Sequence, residues 1–284
     1  MSMKRVGIVG SGIMGSGIAE VAAAAGYEVV LRSRSQAAAD AMVAGLKKSL
    51  AKQVEKGKRT EAEAGDITAR VSATTHLGAL ADADLVIESV IEDLEIKKAL
   101  FAELDTVCQE GAILATNTST LPVVELAMAT GRPQLVCGIH FFNPAPAMAL
   151  VEVVRPITAD DTTVAAATEF ARICGKDPVE VKDQAGFIVN ALLFPYLNNA
   201  IRLLEQGVAT REGIDAAMKG GCGFPMGPFA LLDLVGLDTS LAILDALYAE
   251  FSDPNYAAVP LLRRLVTSGQ LGRKTKRGFY EYSR

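Results

Sequence analysis

The chain is short of the residues that build metal and redox centres. Its 284 residues hold two histidines and four cysteines. Cys108, Cys137, Cys174 and Cys222 lie far apart, with no Cys-x-x-Cys among them. That spacing argues against a zinc site, a redox pair or a disulfide framework, and the four are read as buried thiols in a reducing compartment. No apolar run is long enough to cross a bilayer. The first apolar run feeds directly into glycines instead of a cleavage site, so no secretory leader is expected. Cytoplasmic residence is the resulting expectation. There is no excess of positive charge either: the net charge is −5 and the pI about 5.3, a balance unsuited to general binding of nucleic acid or anionic membrane. Internal repeats and low-complexity segments are missing too.

What the chain does have begins at once. Val6-Gly7-Ile8-Val9 runs into Gly10-Ser11-Gly12-Ile13-Met14-Gly15, a Gly-x-Gly-x-x-Gly pattern. Alone, the pattern is weak. Here a strand (Arg5–Val9) precedes it and an alanine-rich helix (Ile13–Ala25) follows, which is the setting of a dinucleotide-binding turn. Gly10 allows the turn, and Gly12 lets a pyrophosphate approach the backbone. Gly15 lets helix and strand pack closely, and the helix N-terminus, with Ile13 and Met14, faces the phosphates. A second strand, Glu28–Leu31, ends in Arg32-Ser33-Arg34-Ser35. An acid usually stands there to accept the ribose hydroxyls of NAD. Ser33 removes the repulsion of a 2′-phosphate and Arg34 can bind one, which tilts the expected cofactor toward NADP over NAD. The alternative is that Arg32 and Arg34 are solvated loop charges.

Apolar runs and helical patterns alternate to about residue 180. Strands are predicted at Arg5–Val9, Glu28–Leu31, Val71–Ala73, Leu85–Val90, Ala112–Thr116, Val136–His140, Val151–Val154 and Val179–Val181. This is the signature of an α/β protein with a doubly wound, mostly parallel sheet of Rossmann type. Helices then take over: Phe187–Gln206, Thr210–Lys219, Leu237–Phe251 and Leu261–Ser268, joined by Gly/Pro loops such as Gly220-Gly221-Cys222-Gly223-Phe224-Pro225. Two domains are expected, a dinucleotide-binding domain over 1–183 and a smaller all-helical C-terminal domain over 184–284.

Residues 36–69 form a helical hairpin inserted between the second and third strands, its second helix opening on the capping-box pair Thr60 and Glu63. Lys47 to Arg59 carries six basic residues against one acid, Glu55. Lys48, Lys52 and Lys56 recur every four residues and share a helix face, with Ser49 alongside. Such a face is either a solvated surface or a landing strip for a polyphosphate ligand.

His140 ends the apolar strand Leu135–Ile139, at the edge where doubly wound sheets bind ligands. Twelve residues on, Glu152 sits in a strand otherwise made of Leu and Val, where an unpartnered carboxylate is costly. Pairing the two gives a general base with a fixed tautomer; a purely structural ion pair is the alternative. His76, in a polar stretch, reads as a surface residue. Asn117-Thr118-Ser119-Thr120 follows the fifth strand at the same edge. Asn190 opens the helical domain after Asp183-Gln184-Ala185-Gly186.

The chain resembles the bacterial 3-hydroxyacyl-CoA dehydrogenase family in its stand-alone, short-chain form. The resemblance rests on Gly10–Ala19, Glu88-Ser89-Val90-Ile91-Glu92-Asp93, Asn117–Thr120, His140-Phe141-Phe142-Asn143-Pro144, Gly186–Asn190, Phe224-Pro225-Met226-Gly227-Pro228 and Gly278–Tyr282, in family order over nearly the whole chain. It implies reversible NAD(P)-dependent oxidation of an (S)-3-hydroxyacyl-CoA to the 3-oxoacyl-CoA, within fatty acid metabolism. His140 would be the base and Glu152 its partner. Ser119 and Asn190 would hold the substrate oxygen, with Asn143 nearby; Glu92 and Lys97 would line the cofactor's nicotinamide side, and Asn117 and Asn143 would also bind the cofactor. Ser49 and Lys56 would contact coenzyme A, and the helical domain would form a homodimer. Ser33 departs from the family's Asp, and Ala191 from the basic residue that often follows its helix-entry Asn. The rivals are a dehydrogenase of a sugar acid or carrier-protein thioester, a non-catalytic cofactor-binding relative and a cofactor-sensing regulator.

Overall fold

In a computed structural model describing residues 3–282, eight strands of four to six residues form, the inner ones apolar: β1 Arg5–Val9, β2 Glu28–Arg32, β3 Val71–Thr74, β4 Leu85–Glu88, β5 Ile113–Thr116, β6 Val136–Phe141, β7 Leu150–Arg155 and β8 Asp177–Lys182. They make one sheet in the order β3-β2-β1-β4-β5-β6-β7-β8. All neighbours are parallel except β6 and β7, whose antiparallel register sets His140 directly opposite Glu152.

Helices α1 (Ile13–Ala24), α2 (Gln36–Glu55), α3 (Glu61–Ala69), α4 (Leu94–Val107), α5 (Val123–Ala127) and α6 (Asp161–Ile173) complete the first unit. One face of the sheet contributes Val6, Ile8, Leu31, Ile87, Phe141 and Val151 to a core shared with Ile18, Met42, Leu46 and Phe170 from the helices. Burying each large aliphatic side chain there stabilises the fold by about 2 kcal/mol. The α3 capping box forms, Thr60 Oγ1 accepting from Glu63 N and Glu63 Oε2 from Thr60 N.

The sheet departs from the sequence reading at β4, which stops two residues early. Glu88 Oε1 accepts from Val90 N at 2.6 Å, so the side chain turns its own backbone out of the strand.

The chain divides into compact units at Asp183 and Gln184. The second contains α7 (Val189–Glu205), α8 (Arg211–Cys222), α9 (Pro228–Val235), α10 (Leu237–Phe251) and α11 (Pro260–Thr267) around Phe194, Leu197, Ile201, Phe229, Leu232, Leu244, Leu247 and Phe279. Two features correct the sequence reading. Gly220, Gly221 and Cys222 form the last turn of α8 instead of a loop, which ends only at Gly223 with φ +68. That turn carries Cys222 into solvent and Cys174 is half-buried, so only Cys108 and Cys137 are fully buried thiols. In addition α9 was not anticipated; its proline-led first turn reads locally as a loop.

Two buried carboxylates organise this unit. Asp215 accepts from Phe229 N and Ala230 N, capping α9, and from Tyr280 Oη. Asp233 accepts from Phe279 N, Tyr280 N and Tyr282 Oη, pinning the C-terminal segment. Burial and the bond to Asp215 push the Tyr280 phenol upward, so it stays a donor. A β-carbon at Gly278 would lie 2.0 Å from Asp233 Oδ1, so only glycine fits. Asp233→Ala would strand three donors, at a cost of at least about 3 kcal/mol. Thermal melting should fall accordingly, and limited proteolysis should trim the chain beyond residue 276. Unchanged melting would remove the clamp.

Candidate active site

The glycine loop divides its labour. Gly10 has φ +122, and a β-carbon there would meet Ser89 O at 2.2 Å. One at Gly15 would lie 1.9 Å from Gly10 O, so α1 can pack this closely only without a side chain. Gly12 differs: nothing lies within 4 Å of its β-carbon position. It is the N-cap of α1, and no side chain caps that helix. The first-turn N–H groups and the positive end of the helix therefore face an open cradle that suits a pyrophosphate. Exposed Ile13 and half-buried Met14 stand at its rim.

At the end of β2, Ser33 is buried and its Oγ lies 2.8 Å from Ser11 Oγ, tying the second strand to the glycine loop. Arg34 is exposed, and Arg32 Nε is buried without a hydrogen-bond partner.

The carboxyl ends of β4, β5 and β6 carry the densest polar chemistry. His140 Nδ1 lies 2.7 Å from Glu152 Oε2, with both side chains buried. A carboxylate only accepts, so the proton sits on Nδ1 and Nε2 is the basic nitrogen. The ring of Phe142 packs 4.6 Å from the imidazole, centroid to centroid. Asn117 Oδ1 accepts from Phe141 N, bracing the end of β6 against β5. Glu92 Oε1 accepts from Thr118 Oγ1 and Ser119 N, while its other oxygen lies 3.1 Å from Lys97 Nζ. The loop beyond His140 carries Asn143, exposed, and is held from below by Lys176, whose Nζ donates to Ala145 O and Met148 O. Burial lowers the pKa of that lysine.

Elsewhere, Lys48 and Lys52 are exposed on α2 and Lys56 caps its end. Half-buried Ser49 accepts from Gln53 Nε2, which also donates to Glu20. Asn190 is buried in the first turn of α7, in the second unit. His76 is exposed.

The structure thus pairs His140 with Glu152 and gathers Ser119, Glu92 and Lys97. It ties Ser33 to Ser11, while Arg34 is exposed. The sequence reading gave no individual role to Glu88, fully buried and bonded to Lys97, or to Thr118, which donates to Glu92. The signal that singled out Glu152, an acid inside an apolar strand, was equally present in Leu85-Val86-Ile87-Glu88.

A dinucleotide cradle beside a buried His–Glu pair at one sheet edge defines a dehydrogenase-type site, and comparison with known proteins specifies the family. The NAD binding domain of 3-hydroxyacyl-CoA dehydrogenase matches residues 5–184, and that family's C-terminal domain matches residues 186–282. The chain belongs to the 3-hydroxyacyl-CoA dehydrogenase family. It is 48% identical over 280 residues to a 3-hydroxybutyryl-CoA dehydrogenase of Clostridioides difficile, covering 99% of this chain and 100% of the relative. It is 42% identical over 287 residues to the mitochondrial hydroxyacyl-coenzyme A dehydrogenase of Sus scrofa, covering 99% and 91%. The crystal structure of (S)-3-hydroxybutyryl-CoA dehydrogenase from Ralstonia eutropha superposes with a TM-score of 0.97 at 43% identity, covering all of both chains. Among the described residues no helix is long and apolar enough to cross a membrane.

The glycine loop yields a contrast. Gly15→Ala should cost about 1–3 kcal/mol by overpacking, whereas Gly12→Ala should cost less than about 1 kcal/mol. Gly12→Ala should nevertheless weaken dinucleotide binding measured by calorimetry, because its methyl would fill the cradle. Equal melting losses for both variants would contradict this division.

Proposed function

We propose that the protein catalyses reversible oxidation of short-chain (S)-3-hydroxyacyl-CoA, 3-hydroxybutyryl-CoA in the first instance, to the 3-oxoacyl-CoA. The observation that carries this reading is the 2.7 Å contact between His140 Nδ1 and Glu152. It supports a base whose tautomer is fixed and whose cationic form is stabilised by a buried carboxylate. In oxidation His140 Nε2 takes the proton of the substrate hydroxyl, and Glu152 holds the resulting imidazolium. Ser119 and Asn190 donate hydrogen bonds to the substrate oxygen as it becomes a carbonyl. In reduction the protonated imidazole returns the proton.

A bound nicotinamide dinucleotide supplies the hydride acceptor or donor. Gly10, Gly12, Ile13, Met14 and Gly15 would cradle its phosphates, Glu92 would line its nicotinamide side with buried Lys97 holding that glutamate, and Asn117 and Asn143 would also bind the cofactor. Ser33 and Arg34 would meet the adenosine ribose. The serine and the uncommitted Arg32 Nε favour NADP over NAD, because no carboxylate stands there to repel a 2′-phosphate. Ser49 and Lys56, with the exposed lysines of α2, would hold the nucleotide end of coenzyme A. The second unit would form a homodimer; exposed Leu192, Leu203, Leu234 and Tyr248 support a covered apolar surface on it. We place the enzyme in the cytoplasm.

A photometric assay with acetoacetyl-CoA, run in parallel with NADH and NADPH, tests this reading. His140→Gln should lower turnover by about a hundred- to ten-thousand-fold while leaving cofactor affinity unchanged; near-full activity would eliminate the base. The wild-type protein should use NADPH at least as well as NADH, and Ser33→Asp should swing the preference to NADH. Strict NADH dependence of the wild type would refute the NADP preference.

A further inference from the structure

At the ends of β4 and β5 one ammonium is shared by two carboxylates. Glu88 is fully buried, and its oxygens accept from Val90 N at 2.6 Å, from Lys97 Nζ at 2.7 and 2.9 Å, and from Thr116 Oγ1 at 2.7 Å. Lys97, itself 1% exposed, also reaches Glu92 Oε2 at 3.1 Å. Glu92 in turn accepts from Thr118 Oγ1 at 2.5 Å and Ser119 N at 2.9 Å. These contacts of the two glutamates are all with N–H or O–H donors, which suits acceptor-only carboxylates. Two carboxylates and one ammonium leave one negative charge. Stability does not call for it, since apolar replacements of buried ion pairs are often neutral or stabilising. Glu88 is sealed inside and the Glu92 side chain is 40% exposed, so the excess field emerges at the sheet edge. At its buried end, around Glu88, that field runs through low-dielectric protein, which screens it less than water does.

On the dinucleotide reading proposed above, that edge belongs to the nicotinamide. The glycine loop and Ser33 assign the adenosine half to β1 and β2, and a dinucleotide spanning the sheet brings its second half to β4 and β5. The nicotinamide ring is cationic when oxidised and neutral when reduced. We infer that Glu88 is a charge-setting, positioning residue: acting through Lys97 and Glu92, it makes the site bind the oxidised cofactor more tightly, relative to the reduced one, than a neutral pair would. The cluster therefore biases the enzyme's redox preference from a residue that touches neither substrate nor cofactor. Through Glu92 it also fixes the backbone of Ser119.

Glu88→Gln keeps the shape and neutralises the cluster. Dissociation constants for the oxidised and reduced cofactor, by calorimetry and by fluorescence of the reduced form, give the readout, using whichever of NAD(H) or NADP(H) the protein binds. The ratio of oxidised to reduced constants should rise on the order of tenfold. A mere packing defect would raise both constants alike. Thr116→Val, which removes a hydrogen bond to Glu88 but no charge, should leave the ratio within about twofold of wild type. Should Glu88→Gln fail to fold, Glu92→Gln, at the half-exposed end, removes the same charge and should move the ratio the same way. An unchanged ratio in the folded variant overturns the inference alone. A wild-type protein that binds neither form overturns the dinucleotide reading and the inference with it.

Discussion

The chemistry at the sheet edge depends on the reversal of chain direction between β6 and β7. Parallel strands need long crossovers, and a parallel partner for β6 would bring its own residue opposite His140 only after a helix. The antiparallel return needs only the loop over 142–149, and its register sets His140 across from Glu152. Directly opposed side chains in an antiparallel pair stand close enough to bond without bending either strand. The histidine is thereby oriented by the ladder itself, and both groups are buried.

A related device recurs along the same edge. β4 and β5 end where polar side chains capture backbone that would otherwise have continued the ladder: Glu88 takes Val90 N, Thr116 takes Thr118 N, and Thr118 takes Leu121 N. Side-chain acceptors of this kind compete with strand and helix hydrogen bonding and so terminate elements. The residues that stop the strands are the ones that gather into the buried polar cluster. Such a network is costly when half satisfied and stiff when complete, which explains why Thr116, Glu88, Lys97 and Glu92 are interlocked instead of merely adjacent.

Much of this was legible in the residues. Strand spacing gave the sheet, because buried strands leave short apolar runs, and the glycine triplet gave the tight turn into the uncapped N-terminus of α1. The pairing of His140 with Glu152 followed from the cost of a lone acid between valines. What escaped notice has common causes. Glu88 lies at a strand end, where an acid reads as the start of a loop, and its partner Lys97 comes nine residues later in a helix whose exposed face is also charged. The end of α8 looked like a loop since two glycines weaken a helix locally, while packing and the φ of Gly223 decide where it stops. Cys222 was misplaced for the same reason. The Ser11–Ser33 bond joins residues 22 apart through a strand pairing that no local pattern states.

Gly17 has a wider consequence. A β-carbon on it would lie 3.2 Å from Ala145 Cβ and 3.3 Å from Pro146 Cδ. The loop that follows the histidine thus rests on the second turn of the helix behind the phosphate cradle, with Lys176 gripping its carbonyls from the far side. Loop and helix are in such close contact at Gly17 that a side chain there would have to displace one of them. A larger residue at 145 or 146 would therefore press on α1, so the loop and the helix can only be reshaped together.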